Sequence, residues 1–436
     1  MRGFSFLALL PLALAASAAS VSRRAFDVNE HLGNLAPYFA APVPAGMAAA
    51  LPDDCTVEQV MLMQRHGARY PLVSELASIT GLVAKLGNHS AALQKARLPA
   101  ALAFLRDGYV STLGHDDLTA PGRQELFDHG VKFALAYPHL KATTLLAGAQ
   151  DRVLESAQWF AQGYFGRAWA ALNATMFETI AEDSSTVSWI TPMDTCARWD
   201  YNYGNNATVA WGTVYLPPIA RRLNALLPGV RLSADDVHGA LYACAYDGAA
   251  HGPARSPWCG AFTAGELAAF EYELDLLMDG AFGYGLPRGM GGVLGALYVG
   301  KLVERFTNAT GDAQELYLEF GHDTTIDMVL TALGLVKDTP TLPEYGPIPA
   351  NRKWRTSYQV PFAAMMTWEK FTCKSSFKGP QIRLVLNEAP MPLTTCKNMN
   401  KTYGSCALSD FVASHAATAK ISWGDAAWNA SCGAGY

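Results

Sequence analysis

Two arginines bracket one histidine in the segment Gln64-Arg65-His66-Gly67-Ala68-Arg69-Tyr70-Pro71. An imidazole flanked by permanently charged guanidinium groups resists protonation, because like charge opposes the imidazolium. His66 therefore stays neutral and nucleophilic in acid, where an isolated histidine would be protonated. Two other polar pairs invite the same attention, Asp151-Arg152 and His322-Asp323. The combined inventory suits phosphate. A transferring phosphoryl group spreads its charge over three equatorial oxygens and needs several fixed donors, which arginine forks supply. It also needs a nucleophile and, for an alkoxide leaving group, a proton donor. On this reading Arg65, Arg69 and Arg152 grip the phosphoryl group, His66 attacks it, and Asp323, at a helix start, donates the proton. Each piece alone has a plainer explanation: R-H-G triplets arise by chance, and His322-Asp323 is also what a helix N-cap looks like.

Their common setting is what joins them. Val57 to Met63 reads as an apolar strand that breaks at Arg65-His66-Gly67. Thr143 to Gly148 is a second strand, running through Gln150-Asp151-Arg152 into a helix with Val153, Ala157, Phe160 and Ala161 on one face. Leu316 to Gly321 is a third, followed by His322-Asp323-Thr324 and a helix from Thr325 to Leu333. Gln381 to Leu386 is a fourth. Strand, short polar turn, helix, repeated, predicts an open α/β sheet, in which ligands sit outside the carboxyl ends of the strands. Residues 183–290 differ, with Pro, Gly and Asn clusters and helical stretches at Ile219 to Leu227 and Phe262 to Met278, and read as a mostly helical insertion. The expected division is 1–19 signal peptide, 20–54 N-terminal arm, 55–182 first part of the α/β domain, 183–290 insertion and 291–436 second part.

Half of the 436 residues are hydrophobic and 16% are charged, so the chain can bury a large core. Met1-Arg2, the apolar run Phe4 to Ala16 and the small residues through Ala19 have the form of a secretory signal peptide. The run is shorter than the roughly 20 apolar residues that span a bilayer, and no later segment spans either. Secretion is further favoured by six N-x-S/T sequons, at Asn88, Asn173, Asn206, Asn308, Asn400 and Asn429. Eight cysteines, Cys55, Cys196, Cys244, Cys259, Cys373, Cys396, Cys406 and Cys432, lack any C-x-x-C pair, which favours disulfides over zinc without fixing their pairing. No other histidine has metal-ligand spacing. A formal charge of −5 with no basic stripe argues against nucleic acid as a partner. The expected partner is a small phosphomonoester, with no nucleic acid, no membrane and no cofactor.

Arg65-His66-Gly67-Ala68-Arg69-Tyr70-Pro71 with His322-Asp323 resembles the histidine acid phosphatases, in particular their fungal phytase and acid phosphatase branch. Further likeness lies in Asp116-Asp117-Leu118-Thr119 with Gly122 and Glu125, Asp151-Arg152-Val153, Ser256-Pro257-Trp258-Cys259 and Arg383 to Asn387. The resemblance implies a phosphoglycerate-mutase-like open α/β sheet domain with an inserted mostly helical domain, and a phosphohistidine intermediate on His66. It implies phosphate binding by Arg65, Arg69, Arg152 and His322, proton donation by Asp323, and no metal. It also implies the disulfides Cys55–Cys373, Cys196–Cys432, Cys244–Cys259 and Cys396–Cys406. The expected activity is secreted phosphomonoester hydrolysis that includes phytate. Two features pull toward a broad acid phosphatase with little phytate preference: Glu75, and the pair Leu277-Met278, stand where lysines of an outer phytate pocket would be expected. A mutase sharing the R-H-G chemistry fits a signal peptide poorly. A binding protein without turnover would need neither His66 nor Asp323.

Overall fold

The computed structural model describes residues 26–433 apart from residue 254, so the expected signal peptide lies outside the described residues. Its centre is an eight-stranded mixed sheet. The strands are β1 (Cys55–Arg65), β2 (Ala142–Gly148), β3 (Phe177–Ile180), β4 (Leu316–Gly321), β5 (Met365–Cys373), β6 (Gln381–Leu386), β7 (Ala389–Met391) and β8 (Cys406–Ala407). Their order is β3-β2-β4-β1-β5-β6-β7, with β8 on β6. The first four are mutually parallel; β5 runs antiparallel to β1 and opens an antiparallel half.

The unbroken apolar run of β1 follows from burial on both faces, as parallel sheets require. Val60 and Leu62 pack with Leu126, Phe133, Val153, Ala157 and Phe160 from the helices Ala120–Ala136 and Asp151–Phe165. Met61 and Met63 point the other way, into Val299, Leu302, Ile326 and Val329 of the helices Met290–Thr307 and Asp323–Ala332. Truncating a fully buried side chain such as Phe160 to Ala would cost about 3–5 kcal/mol.

A second body is helical. The helices Asn202–Leu226, Ala234–His251 and Ala264–Phe282 share one hydrophobic cluster with Ile79, Leu82 and Leu86 of the helix Val73–Asn88. Residues from the first part of the α/β region thus pack into this body as well. The helix Asn202–Leu226 runs through Pro217 and Pro218, where the sequence predicts a helix only from Ile219. Each proline removes a backbone donor, and burial of Trp211, Tyr215, Leu216 and Leu223 offsets that loss. Disulfides join Cys55–Cys373, across the β1–β5 pairing, and Cys196–Cys432, Cys244–Cys259 and Cys396–Cys406.

Candidate active site

Because β1 to β4 are parallel, their carboxyl ends share one edge of the sheet; Arg65 pairs with Gly321, and Gly148 with Ile180. Arg65 ends β1, and the segments beyond the strands carry His66, Arg152, Glu182, and His322 with Asp323, all lining one cleft with Arg69. Arg152 lies in the first turn of its helix and His322 N-caps another, so two helix N-termini open onto the same space.

The R-H-G-A-R turn is held by its backbone. Arg65 N–H donates to Ala364 O (2.8 Å), His66 N–H to Gly321 O (3.0 Å), and Ala363 N–H to His66 O (2.9 Å). Gly67 N–H donates to Ser156 Oγ (3.1 Å), and Ala68 N–H to Glu125 Oε2 (2.8 Å). Tyr70 N–H reaches Asp117 O (2.9 Å), and Arg69 bridges Leu118. Gly67 passes so near Gly122 O that a Cβ on it would collide. The Asp116-to-Glu125 segment is thus the clamp that shapes the turn.

His66 Nδ1 lies 2.9 Å from Gly67 O. A carbonyl only accepts, so Nδ1 carries the proton and Nε2 keeps the lone pair. The ring is 2% exposed, and burial first, then Arg152, Arg65, His322 and Arg69, holds its pKa well below the ordinary histidine value. Arg65 is wholly buried: Nη1 donates to Asn34 O (2.6 Å) and Val360 O (2.5 Å), Nη2 sits 2.8 Å from Asp323 Oδ2, and the guanidinium lies 4.6 Å from the Phe362 ring centre. Burial lowers its pKa to about 10, still charged in acid. Arg69 Nη1 donates to Tyr70 O (2.9 Å) and Tyr246 Oη (3.2 Å) and lies 3.4 Å from Glu75 Oε2. Burial alone would raise the Asp323 carboxyl, but Arg65, the Asn34 amide at 3.0 Å and His322 outweigh it and hold it below the usual carboxylate range.

Several residues of the site escape a reading of the sequence. Glu182 Oε2 accepts from His322 Nε2 at 2.9 Å and so orients that ring, whose centre is 5.7 Å from that of His66. Gly148 leaves it room, since a Cβ there would strike the Glu182 carboxylate. Asn34, in the irregular arm, bridges Asp323 and Met278. Tyr201 closes one side. Of the expected outer positions, Met278 lines the cleft, whereas Glu75 is turned inward: Oε2 accepts from Leu72 N–H and from Tyr246 Oη, both at 2.6 Å. Among the sequon asparagines, Asn88, Asn206 and Asn308 are exposed, while Asn173, Asn400 and Asn429 are half-buried. Asn429 Nδ2, the atom a glycan would take, donates to Gly424 O at 2.8 Å.

A family model described as histidine phosphatase superfamily (branch 2) matches residues 56–387. The thiamine-repressible acid phosphatase pho4 of Schizosaccharomyces pombe is 30% identical, over 93% of this chain and 91% of that protein. Phytase A of Aspergillus terreus is also 30% identical, over 88% of each chain. Among solved structures, the phytase from D. castellii matches with TM-score 0.81 at 26% identity, over 97% of this chain and 92% of that one.

Proposed function

Because this chain belongs to the histidine phosphatase superfamily (branch 2) and is a phosphoric monoester hydrolase, we propose that His66 is its covalent nucleophile, Asp323 its proton donor, and Arg65, Arg69, Arg152 and His322 its phosphate ligands. The observation that carries this is the His66 ring, with Nδ1–H tied to Gly67 O and a free lone pair on Nε2 among three arginines. In the first step Nε2 bonds to phosphorus while the P–O bond to the leaving group breaks, and the departing oxygen takes a proton from Asp323. In the second, water attacks phosphorus, its proton passes to the Asp323 carboxylate, and the N–P bond breaks. Asp323 is a carboxylate in the free site. A bound phosphate shares Arg65 and adds negative charge nearby, both of which raise the carboxyl's pKa and load it with the proton it must give.

The substrates we assign are simple phosphomonoesters, with phytate accepted but not strongly preferred. The names of the relatives, both acid phosphatase and phytase, support that breadth. We also propose that the protein is exported. Four disulfides and three exposed sequon asparagines support this, and no described helix is long and apolar enough to cross a membrane. The test of the nucleophile is a labelling experiment. Enzyme turning over a ³²P-labelled monoester is quenched in alkaline denaturant, where a phosphohistidine survives, and the label is mapped. Label on His66, and none in His66→Ala, is the expected result; label on any other residue ends the assignment.

A further inference from the structure

Asp323 marks the side of the cleft from which the leaving group departs. From its Oδ2, Asn34 Nδ2 lies at 3.0 Å, and from that amide the Met278 sulfur lies at 3.6 Å. One contact beyond the proton donor's own partner, the cleft turns apolar. Met278 and Phe282 stand four residues apart on one face of the helix Ala264–Phe282, with Tyr201 packed 6.0 Å from the Phe282 ring centre. Leu72 and Met193 also line the cleft. Phe282 and Met278 are buried, whereas Tyr201 is 39% exposed.

Among the described residues lining the cleft, every arginine belongs to the set around His66. No lysine lines it, and the remaining ionisable groups include the carboxyls of Glu182 and Asp194. A second phosphate on a substrate would find no lysine and no further arginine lining the cleft to pair with. A flat apolar group would instead exchange water for contact chiefly with Tyr201, backed by the buried Phe282 and Met278, the arrangement in which ligand sites usually obtain affinity.

We propose that this wall is a leaving-group site for monophosphate esters of apolar, above all aromatic, alcohols, and that Tyr201 and Phe282 are its specificity determinants. The inference rests on the phosphomonoesterase reading above and deepens it. Its test compares benzyl phosphate with ethyl phosphate, both losing an alkoxide, so that leaving-group chemistry is matched and the ring is the difference. Phytate is the third substrate. Wild-type enzyme should favour benzyl over ethyl phosphate by roughly tenfold or more in kcat/KM, the scale on which apolar pockets discriminate, and should favour benzyl phosphate over phytate. Tyr201→Ala should shrink the benzyl-to-ethyl ratio by about threefold or more, and Tyr201→Phe should preserve it. Equal kcat/KM for the two simple esters, or a preference for phytate, overturns the wall as a recognition site while leaving the phosphatase reading intact. No turnover of either ester removes both. The wild-type comparison decides the matter even where Tyr201→Ala does not fold.

Discussion

Arg65 Nη2 lies 2.8 Å from Asp323 Oδ2, so the guanidinium assigned to phosphate also holds the carboxyl assigned to the proton. On the proposed roles the pair links binding to acid catalysis. Arg65 holds the Asp323 carboxyl below its ordinary pKa, and a phosphate sharing Arg65 would weaken that hold and let the carboxyl take up a proton. Asp323→Asn keeps the shape and removes the proton. It should slow alkyl phosphates by roughly 10²–10⁴-fold, the usual span for a general acid, and aryl phosphates far less, because a phenolate leaves with little help. Equal losses on ethyl and p-nitrophenyl phosphate would leave Asp323 as no more than a helix cap.

A pH profile tests the environment of His66. As the proposed nucleophile it must be neutral, and burial with Arg152 and Arg65 pushes its pKa well below the ordinary value. The acid limb contributed by His66 therefore lies well below pH 6.5, and activity persists as pH falls through the range where a free imidazole would charge. Arg152→Gln removes a positive neighbour, so the imidazolium becomes less unfavourable and the acid limb moves up in pH. Measured as kcat/KM with one substrate in both enzymes, the substrate's own titration cancels. An unmoved limb would mean that another group sets it.

Much of this was legible because β1 to β4 bear their chemistry where a parallel sheet must expose it. Leu316 to Gly321 and Gln381 to Leu386 agree with their observed bounds. The strand β1 extends further than the expected Val57 to Met63, from Cys55 to Arg65. What escaped depends on distant partners. β5 hides Thr367 and Glu369 among its apolar residues, and Glu369 is tolerable there only because Arg383 and Tyr137 reach it from elsewhere in the chain. Asn34 sits in an arm with no periodicity, and nothing local ties it to Asp323. Glu182 was findable in principle, since it follows β3, but Phe177-Glu178-Thr179-Ile180 is too short and too polar to announce a strand.

Asp327, one helical turn beyond Asp323, is fully buried, and neither of its carboxyl oxygens has a hydrogen-bond partner. Burial and then the charge of Asp323 raise its pKa well above the ordinary carboxyl value. The folded state thus keeps a proton that the unfolded chain loses above about pH 4. Its share of stability is fully present below that pH and falls as pH rises, by about 1.4 kcal/mol per unit until the folded pKa is reached. Asp327→Asn removes this dependence, so its Tm should gain on wild type as pH rises from about 4.5. A Tm difference that stays constant across that range would contradict a neutral Asp327.

The last prediction concerns Glu75. As a position on an outer rim, it would be the place to add a lysine that captures a second phosphate. Its contacts make it part of the inner site instead. Glu75 Oε2 caps the helix Val73–Asn88 through Leu72 N–H, accepts from Tyr246 Oη, and lies 3.4 Å from Arg69 Nη1, while Tyr246 in turn accepts from Arg69. Arg69 is thus aimed by a carboxylate and a phenol that hold each other. Glu75→Lys would set an ammonium against that guanidinium, remove the cap at a cost of about 0.5–2 kcal/mol, and free Arg69 from its orientation. The expected result is a loss of kcat/KM of at least tenfold, shared by p-nitrophenyl phosphate and phytate alike, since both need the same first phosphate gripped. Glu75→Gln keeps an acceptor for Tyr246 and the size of the side chain, and should lose less. Steady-state kinetics on both substrates with both variants would settle it. A selective gain on phytate in Glu75→Lys would return Glu75 to the rim and break its assignment as the anchor of Arg69.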